Sequence, residues 1–151
     1  MAVLVCKLPV YQAAQTVFVF VGARHEPDTL PLIKQMLADG KIVCVPRCEA
    51  QSGVMFARRI LSIDALSPGH FGILEPDAGA ALVPPNAIDL AVMPCLSADG
   101  SGGRLGYGGG YYDRFLQNTR CFKVVLCRKE LVLDAIPMDA WDIRADLTLI
   151  R

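Results

Sequence analysis

Four short runs of the chain are almost entirely apolar, and they constrain the fold more than any other feature of the sequence. The runs cover residues 16–22, 41–46, 89–93 and 122–127. The first of them alternates β-branched and aromatic side chains, which favours a buried strand. Strands that are apolar on both faces are typical of a parallel sheet covered by helices. The sequence therefore predicts an α/β fold of three layers, with a mostly parallel sheet between helices on both faces.

Capping residues and periodicity predict the elements between these strands. Asp28 or Thr29 can cap a helix that runs to Asp39, with Gly40 as its stop. The predicted buried stripe of this helix is Leu30, Ile33, Leu37 and, as a further candidate, Met36. The other predictions are a helix tail over residues 1–12, a strand over 53–60, a long surface connection with one short element over 64–87, a helix over 110–118 and a short strand over 147–150.

The composition indicates one globular domain without a strongly charged partner. Of the 151 residues, 53% are hydrophobic, which is enough for a full core. Fifteen basic and fifteen acidic residues cancel, so we expect neither nucleic acid nor a membrane as partner. The first residues do not resemble a signal or transit peptide, and we expect a cytoplasmic protein. No CxxC pair is present, which predicts reduced, mostly buried thiols at Cys6, Cys44, Cys48, Cys95, Cys121 and Cys127.

A glycine-rich segment follows the third apolar run. Seven of the thirteen glycines lie between Gly100 and Gly110, and residues 111–116 after them can start a helix. Glycines allow several amide donors to converge on one anion, and a helix N-terminus adds partial positive charge. Arg104 adds a full charge with a planar donor fork. The segment predicts a phosphate-binding loop beyond the carboxyl end of a strand. The alternative is a flexible surface loop with an incidental arginine.

The run DLAVMPCLSADGSGGRLGYGGGYYDRFL, from Asp89 to Leu116, closely resembles a known signature. It is the pattern DL-x-x-x-P-G-L-x-F-D-x-x-G-x-RLG-x-G-x-GYYD-x-x-L of the 5-formyltetrahydrofolate cyclo-ligases, also called 5,10-methenyltetrahydrofolate synthetases. The chain departs from it at Cys95 and Ala98, where the family has glycine and an aromatic residue. Further resemblance extends over nearly the whole chain, at residues 26–29, 41–47, 55, 71–76, 136–137, 142 and 146.

The resemblance implies a NagB/RpiA/CoA-transferase-like fold and an ATP- and Mg²⁺-dependent ligase. In the family, the formyl oxygen of 5-formyltetrahydrofolate attacks the γ-phosphate of ATP. N10 then closes the ring and phosphate leaves, which gives 5,10-methenyltetrahydrofolate and ADP. Such phosphoryl transfer depends mainly on positioning and charge neutralisation.

The resemblance also implies roles for individual residues. Catalytic roles fall on Arg104 and Tyr111. The predicted ATP contacts are Arg104, Leu105, Gly106, Tyr107, Gly108, Gly109, Gly110, Tyr111 and Tyr112. The predicted folate contacts are Val21, Glu26, Met55, Tyr107 and Tyr111, and the predicted magnesium ligands are Asp113 and Asp142. Several also have a structural alternative: Val21 and Met55 as core, Tyr111 and Tyr112 as sheet packing, Glu26 as an acid at a helix start, and Asp142 as a turn cap.

In this family an N-terminal helix carries a lysine and an arginine that reach the ATP phosphates. Here the chain opens in what looks like the end of that region, so we expect residues 1–151 to form a single, truncated domain with weak ATP binding and low turnover. The alternative is an impaired paralogue or fragment that binds nucleotide or folate. A sugar-phosphate isomerase or CoA-type enzyme is a third hypothesis, but His25 and His70 lie in no acid–base pattern. We expect a monomer or weak homodimer.

Overall fold

A computed structural model of the chain describes residues 1–49 and 51–151. The strands in this part are β1 (Thr16–Val19), β2 (Ile42–Glu49), β3 (Val54–Ile60), β4 (Leu66–Pro68), β5 (Leu74–Pro76), β6 (Leu82–Val83), β7 (Leu90–Met93), β8 (Ser97–Ala98), β9 (Arg104–Leu105), β10 (Phe122–Cys127) and β11 (Leu147–Ile150). The α-helices are α1 (Ala2–Cys6), α2 (Pro9–Ala13), α3 (Leu30–Ala38) and α4 (Tyr111–Leu116). None of them is long and apolar enough to cross a membrane.

A seven-stranded sheet, in the order β11-β10-β7-β1-β2-β3-β6, forms the middle layer. The five strands from β11 to β2 are parallel, while β3 is antiparallel to both β2 and β6. The prediction of a mostly parallel sheet is therefore confirmed. Strand β1 lies at the centre, with its sequence successor β2 on one side and β7 on the other. Open α/β sheets bind ligands in the crevice beyond the carboxyl ends of the strands at such a switch point.

Both faces of the sheet are buried, as the apolar runs predict. On one face Val17, Val43, Leu90 and Val124 pack with side chains of α1, α2 and α3. On the other face the neighbouring residues Phe18, Cys44, Ala91 and Val125 pack with Phe115 and Leu116 of α4. The rings of Phe18 and Phe115 lie 4.9 Å apart between centroids. All six cysteines are free, and four of them are buried.

Two predictions for the first forty residues need correction. The helical tail is broken into α1 and α2, because Leu8 precedes Pro9 and adopts an extended conformation. In α3 the buried residues are Leu32, Ile33 and Met36, whereas the predicted Leu30 and Leu37 are only partly buried. The N-terminus of α3 is capped by Asp28, whose Oδ1 accepts a hydrogen bond from Leu30 N–H at 3.0 Å.

Thr29 has another function than capping. Its hydroxyl donates to the Phe20 carbonyl at 2.7 Å and accepts from Gly22 N–H at 2.9 Å. These bonds fix the turn that leaves β1. A Cβ at Gly22 would collide with the Pro27 carbonyl, so this turn requires glycine.

The connection over residues 64–87 contains more structure than the single short element predicted. Strands β4 and β5 form a separate two-stranded sheet, and β6 extends the main sheet at its edge. Three 3₁₀ turns, at Ile63–Ala65, His70–Gly72 and Pro85–Ala87, join these pieces. Each strand has only two or three residues, too few for alternation of hydrophobicity to be recognised.

Candidate active site

The loops that follow β1 and β7 meet beyond the carboxyl edge of the sheet. The first loop carries Glu26, and its backbone carbonyl accepts a hydrogen bond from Arg128 Nη2 at 3.4 Å. Arg128 itself directly follows β10. The second loop contains the glycine-rich segment with Tyr107, and desolvation, followed by the charge of Glu26, raises the pKa of the Tyr107 phenol. The predicted folate and ATP residues therefore share one edge of the sheet.

The first half of the glycine-rich segment is folded more tightly than a bare-backbone loop. Strands β8 and β9 pair as a small hairpin, and Leu96 N–H donates to the Leu105 carbonyl at 2.8 Å. Asp99 holds the tip of this hairpin from inside. Its carboxylate accepts hydrogen bonds from the Ser101 amide (2.8 Å), the Ser101 hydroxyl (2.7 Å) and the Gly103 amide (2.9 Å).

The same carboxylate fastens the hairpin to the C-terminal part of the chain. Asp99 Oδ2 accepts from Ile136 N–H at 2.7 Å, and this bond is the largest reason that the pKa of Asp99 lies well below its usual range. The Ala145 N–H donates to the Gly102 carbonyl at 2.9 Å beside it. A Cβ at Gly103 would collide with the Asp99 carboxylate, which explains a glycine at this position.

The second half of the segment, residues 106–110, has the properties of an anion-binding backbone. Within the described residues, none of these five amides donates to another protein group. Gly108 and Gly110 have φ angles of 86° and 65°, in the left-handed region that favours glycine. Tyr107, between Gly106 and Gly108, is 66% exposed, and α4 begins directly after Gly110. Successive free amides of this kind form concave sites for phosphate oxygens.

Arg104, the predicted phosphate ligand, lies underneath this backbone. It is only 8% exposed, and its Nη2 contacts both carboxylate oxygens of Asp113 at 3.1 and 3.2 Å. Nη1 lies 3.4 Å from the Pro94 carbonyl, while the buried Nε has no protein partner. The guanidinium also lies over the ring of Tyr112 at 5.6 Å. The Arg104 guanidinium is therefore paired with Asp113 and lies next to the backbone of residues 106–110. Its contact with a phosphate stays a prediction.

The two predicted metal ligands approach each other through the backbone. Asp113 Oδ1 accepts from Ile143 N–H at 3.0 Å, and Ile143 directly follows Asp142. Asp142 Oδ2 accepts from Asp139 N–H at 2.7 Å, so the turn-cap alternative also describes a contact that is present. In the part of the chain described, no group of three His, Cys, Asp or Glu side chains could hold a metal. The carboxylates of Asp113 and Asp142 are nevertheless the type of ligand that Mg²⁺ prefers, and the assignment of the ion stays a prediction.

Glu26 lies in a partly buried position at the other side of the site. Burial raises the pKa of its carboxyl, and one oxygen accepts from Ala23 N–H at 3.0 Å. Burial also raises the pKa of Tyr112, with the Glu26 charge as the next cause. A carboxylate beside exposed loop residues, with acceptor capacity left, can bind the amino and ring N–H donors of a pterin.

The remaining predicted contacts differ in how accessible they are. Val21 and Met55 are buried, at 3% and 5% exposure, and belong to the apolar clusters on opposite faces of the sheet. Tyr111 is half-buried, with the Arg114 guanidinium 5.3 Å from its ring, and Leu105 is exposed. The core alternative for Val21 and Met55 is thus compatible with their burial, while Tyr107 and Leu105 are free to contact a ligand.

Sequence reasoning missed two residues at this site. Asp99 organises the β8–β9 hairpin, and Arg128 places a guanidinium at the carboxyl edge of the sheet, beside Glu26. A signal for Arg128 was present, because a charged residue directly after a buried strand lies at the carboxyl edge of a parallel sheet. Asp99 matches the second aspartate of the signature, which is a signal of importance, but its contact with Ile136 spans 37 residues and no local pattern predicts it.

The chain as a whole is similar to proteins of one family. The model of the 5-formyltetrahydrofolate cyclo-ligase family matches residues 2–150. The mouse 5-formyltetrahydrofolate cyclo-ligase is 31% identical over 151 residues, which cover 92% of this chain and 74% of the relative. The enzyme of that name from Escherichia coli (strain K12) is 33% identical over 135 residues, which cover 86% of this chain and 74% of the relative. The NMR structure of the Aquifex aeolicus 5,10-methenyltetrahydrofolate synthetase superimposes with a TM-score of 0.84 at 30% identity, over 99% of this chain and 75% of that one.

Proposed function

Because the chain belongs to the 5-formyltetrahydrofolate cyclo-ligase family, we propose that it catalyses the ATP-dependent conversion of 5-formyltetrahydrofolate to 5,10-methenyltetrahydrofolate, with ADP and phosphate as co-products. The family match over residues 2–150 is the observation that carries this proposal. The free amides of residues 106–110 beside Glu26 support it, because they join an anion site to a carboxylate at one edge of the sheet.

The nucleotide is assigned to the glycine-rich segment. ATP, when bound, supplies the phosphoryl group that converts the formyl oxygen into a leaving group. The amides of residues 106–110 donate to its phosphate oxygens, and Arg104 supports them from below with positive charge. Leu105 and Tyr107 are exposed beside this backbone and available to cover a bound nucleotide, Tyr111 is half-buried next to it, and Tyr112 packs against Arg104 below.

Magnesium is assigned to Asp113 and Asp142. The ion, when bound, neutralises the phosphate charge that the loop amides alone do not balance. Arg104 and Ile143 N–H already hold the Asp113 carboxylate in one orientation, so it is preorganised for an ion. Asp142 has one oxygen committed to Asp139 N–H and can offer the other.

The folate is assigned to the Glu26 side of the site, across from the glycine-rich segment. Glu26 accepts hydrogen bonds from the pterin and fixes which edge of the ring faces the nucleotide. Tyr107 and Tyr111 offer aromatic faces to the ring system, and Val21 and Met55 offer apolar surface from the two faces of the sheet. This arrangement orients N10 and the formyl oxygen without a nucleophilic side chain.

Product absorbance tests the proposal directly. The chain is mixed with 5-formyltetrahydrofolate and Mg-ATP, and we expect methenyltetrahydrofolate to accumulate only when both ATP and Mg²⁺ are present. EDTA should stop the reaction, and Asp142→Asn should raise the Mg²⁺ concentration needed for half-maximal rate about tenfold. Absence of product at stoichiometric enzyme would overturn the catalytic assignment. Binding of ATP or folate without product would favour an impaired paralogue.

The raised pKa of Glu26 predicts a pH-dependent KM for the folate. Ionised Glu26 is the form that accepts hydrogen bonds from the pterin, so KM should fall as the pH rises through the raised pKa. Glu26→Gln should raise the KM for 5-formyltetrahydrofolate 10- to 100-fold and remove this pH dependence. Glu130→Gln, at an exposed carboxylate, is the matched control. A Glu26→Gln enzyme that keeps the wild-type KM–pH profile would contradict the assignment.

A further inference from the structure

Two buried cysteines, Cys95 and Cys127, lie side by side at the carboxyl edge of the sheet, and the proposed reaction uses neither of them. Cys95 follows β7 by two residues, and Cys127 is the last residue of β10. The two strands pair in parallel, with Met93 opposite Val125, and the same register carried two residues further places Cys95 opposite Cys127. Both side chains belong to the apolar cluster on the α4 face.

Hydrogen bonds and strand spacing bring the two thiols within reach of each other. Cys95 Sγ donates to the carbonyl of Leu126, the residue before Cys127, at 3.4 Å. Burial raises the pKa of Cys95, and the charge of Cys127 and a hydrogen bond with its thiol raise it further. Neighbouring strands are about 4.8 Å apart, inside the range of about 4.4 to 6.8 Å between the Cα atoms of a disulfide. Both cysteines are free in the structure, and they are placed to form such a bond.

The neighbours of Cys95 on both sides hold the phosphate-binding part of the site. The Pro94 carbonyl lies 3.4 Å from Arg104 Nη1. On the other side, Leu96 N–H donates to the Leu105 carbonyl at 2.8 Å and thereby closes the β8–β9 hairpin. A displacement of Cys95 is therefore passed directly to Arg104 and to the hairpin that leads into residues 106–110.

Cys127 is connected in the same way to the other side of the site. Its Sγ donates to the carbonyl of Arg128 at 3.3 Å. Arg128 Nη2 in turn donates to the Glu26 carbonyl at 3.4 Å. The pair of cysteines thus lies between the glycine-rich segment and the loop that carries Glu26.

We propose that Cys95 and Cys127 are a redox modification site, at which an intramolecular disulfide forms under oxidising conditions and weakens nucleotide binding. The effect on the nucleotide rests on the proposed function, whereas formation of the bond does not. The sulfurs of a disulfide are about 2.05 Å apart, closer than two thiols in contact, so the bond pulls the carboxyl ends of β7 and β10 together. This movement shifts Pro94, and with it the support of Arg104. Cys95 stands where the family signature has glycine, which cannot form this bond.

The oxidant of this step is a small-molecule disulfide such as oxidised glutathione. Cys95 is 5% exposed and Cys127 0%, so the Cys95 thiolate attacks the oxidant first and releases one of its two thiolates. The Cys127 thiolate then attacks Cys95 Sγ in the mixed disulfide, forms the protein disulfide and releases the second thiolate. The protein loses two electrons and two protons, and the oxidant takes up both. Because the pKa of Cys95 is raised, the exchange should be faster at alkaline pH.

The test follows the bond and the nucleotide affinity in the same samples. Wild type, Cys95→Ala, Cys127→Ala and Cys121→Ala are incubated with oxidised glutathione, the disulfide is mapped by mass spectrometry of peptides, and the Kd for Mg-ATP is measured by calorimetry. Cys121 is the matched control, because it is equally buried on the same face but directly precedes β10, at the amino edge of the sheet.

We expect oxidised wild type and oxidised Cys121→Ala to contain the Cys95–Cys127 disulfide and to bind Mg-ATP about tenfold more weakly than their reduced forms. Dithiothreitol should restore the affinity. Cys95→Ala and Cys127→Ala should bind Mg-ATP equally well with and without the oxidant. Melting temperatures show whether each variant is folded, and the peptide map of the wild type needs no variant.

Three results would overturn the inference: oxidised wild type without the Cys95–Cys127 peptide, a disulfide that leaves the Kd for Mg-ATP unchanged, or a loss of affinity in oxidised Cys95→Ala as large as in wild type. The last result would assign the effect to another cysteine. A wild type that binds no Mg-ATP in either state but forms the disulfide reversibly would refute the nucleotide assignment of the proposed function and leave the modification site standing.

Discussion

Arg104→Ala is expected to lower kcat/KM for ATP about a thousandfold and to affect folate binding far less. The variant removes a charged donor beneath the phosphate-binding amides, a loss that costs 10²- to 10³-fold in comparable sites. It also leaves the Asp113 carboxylate without the cation that contacts both of its oxygens. A partly buried carboxylate without its partner disfavours the local fold and holds Mg²⁺ in a changed geometry.

The design of this experiment separates phosphate binding from packing. Arg104→Lys keeps the charge but loses the planar fork, and we expect it to restore only part of the nucleotide affinity. Arg120→Ala, at an exposed arginine, is the control for charge alone. Calorimetric binding of ATP and of 5-formyltetrahydrofolate is measured alongside the melting temperature. An equal loss of both affinities would show that Arg104 is structural.

Much of the fold could be predicted because burial on both faces leaves an unmistakable pattern. The runs over residues 16–22, 41–46, 89–93 and 122–127 became β1, β2, β7 and β10, the centre of the sheet. Gly40 also ends its helix as expected, with a φ of 75°. These elements depend on local sequence alone. Alternation along β1 distributes Val17 and Phe18 to opposite clusters, so the strand is apolar at every position.

Predictions that depend on distant contacts were less successful. The periodic stripe predicted for α3 contained Leu30 and Leu37, but Leu32 is buried and those two are only partly buried. The packing of α3 against the sheet and α1 decides which side of the helix faces inward. The segment over residues 64–87 was predicted as mostly surface, but β4 and β5 pair with each other and β6 with β3. Register between short strands is set by tertiary packing, which no local pattern reports.

In the candidate site, too, the features set by local sequence were predicted and those set by distant contacts were not. The glycine-rich segment and its helix start were recognisable, and their neighbourhood to Glu26 follows from the parallel sheet. The sequence did not predict that Arg104 would be buried against Asp113, because an arginine in a glycine-rich loop is expected to be exposed. The β8–β9 hairpin was likewise missed, since its strands have only two residues each and hydrogen bonds to Asp99 hold its tip.

Asp99→Asn is expected to lower the melting temperature by roughly 10 °C at neutral pH. The carboxylate accepts four hydrogen bonds, three at one oxygen from Ser101 and Gly103 and one at the other from Ile136. An asparagine has only one acceptor oxygen, and its NH₂ group takes the place of the other. The NH₂ donor then meets a backbone N–H donor, and no hydrogen bond can form there. The buried Ile136 N–H or the hairpin amides lose their partner in either orientation.

The pH dependence of stability provides an independent readout. Because the pKa of Asp99 is lowered in the folded protein, the unfolded chain binds a proton more readily. Its contribution to stability is complete above the unfolded pKa, near 4, and is lost as the pH falls below that value. Asp99→Asn should therefore flatten the fall of melting temperature between pH 5 and pH 2.5. Asp134→Asn, at an exposed carboxylate, should keep the wild-type slope, and an unchanged slope in Asp99→Asn would contradict the assignment.

Asp99→Asn should also weaken nucleotide binding at temperatures where the variant is still folded. Asp99 connects the hairpin to Ile136, while the Gly102 carbonyl holds Ala145 and the Asp99 carbonyl accepts from the Thr148 hydroxyl. This strip of contacts sets the position of residues 142 and 143 against Asp113. If the strip loosens, both the glycine amides and the two magnesium carboxylates lose their alignment, so the apparent Kd for Mg-ATP should rise about tenfold. A variant with a lowered melting temperature and an unchanged Kd for Mg-ATP would confine the role of Asp99 to stability.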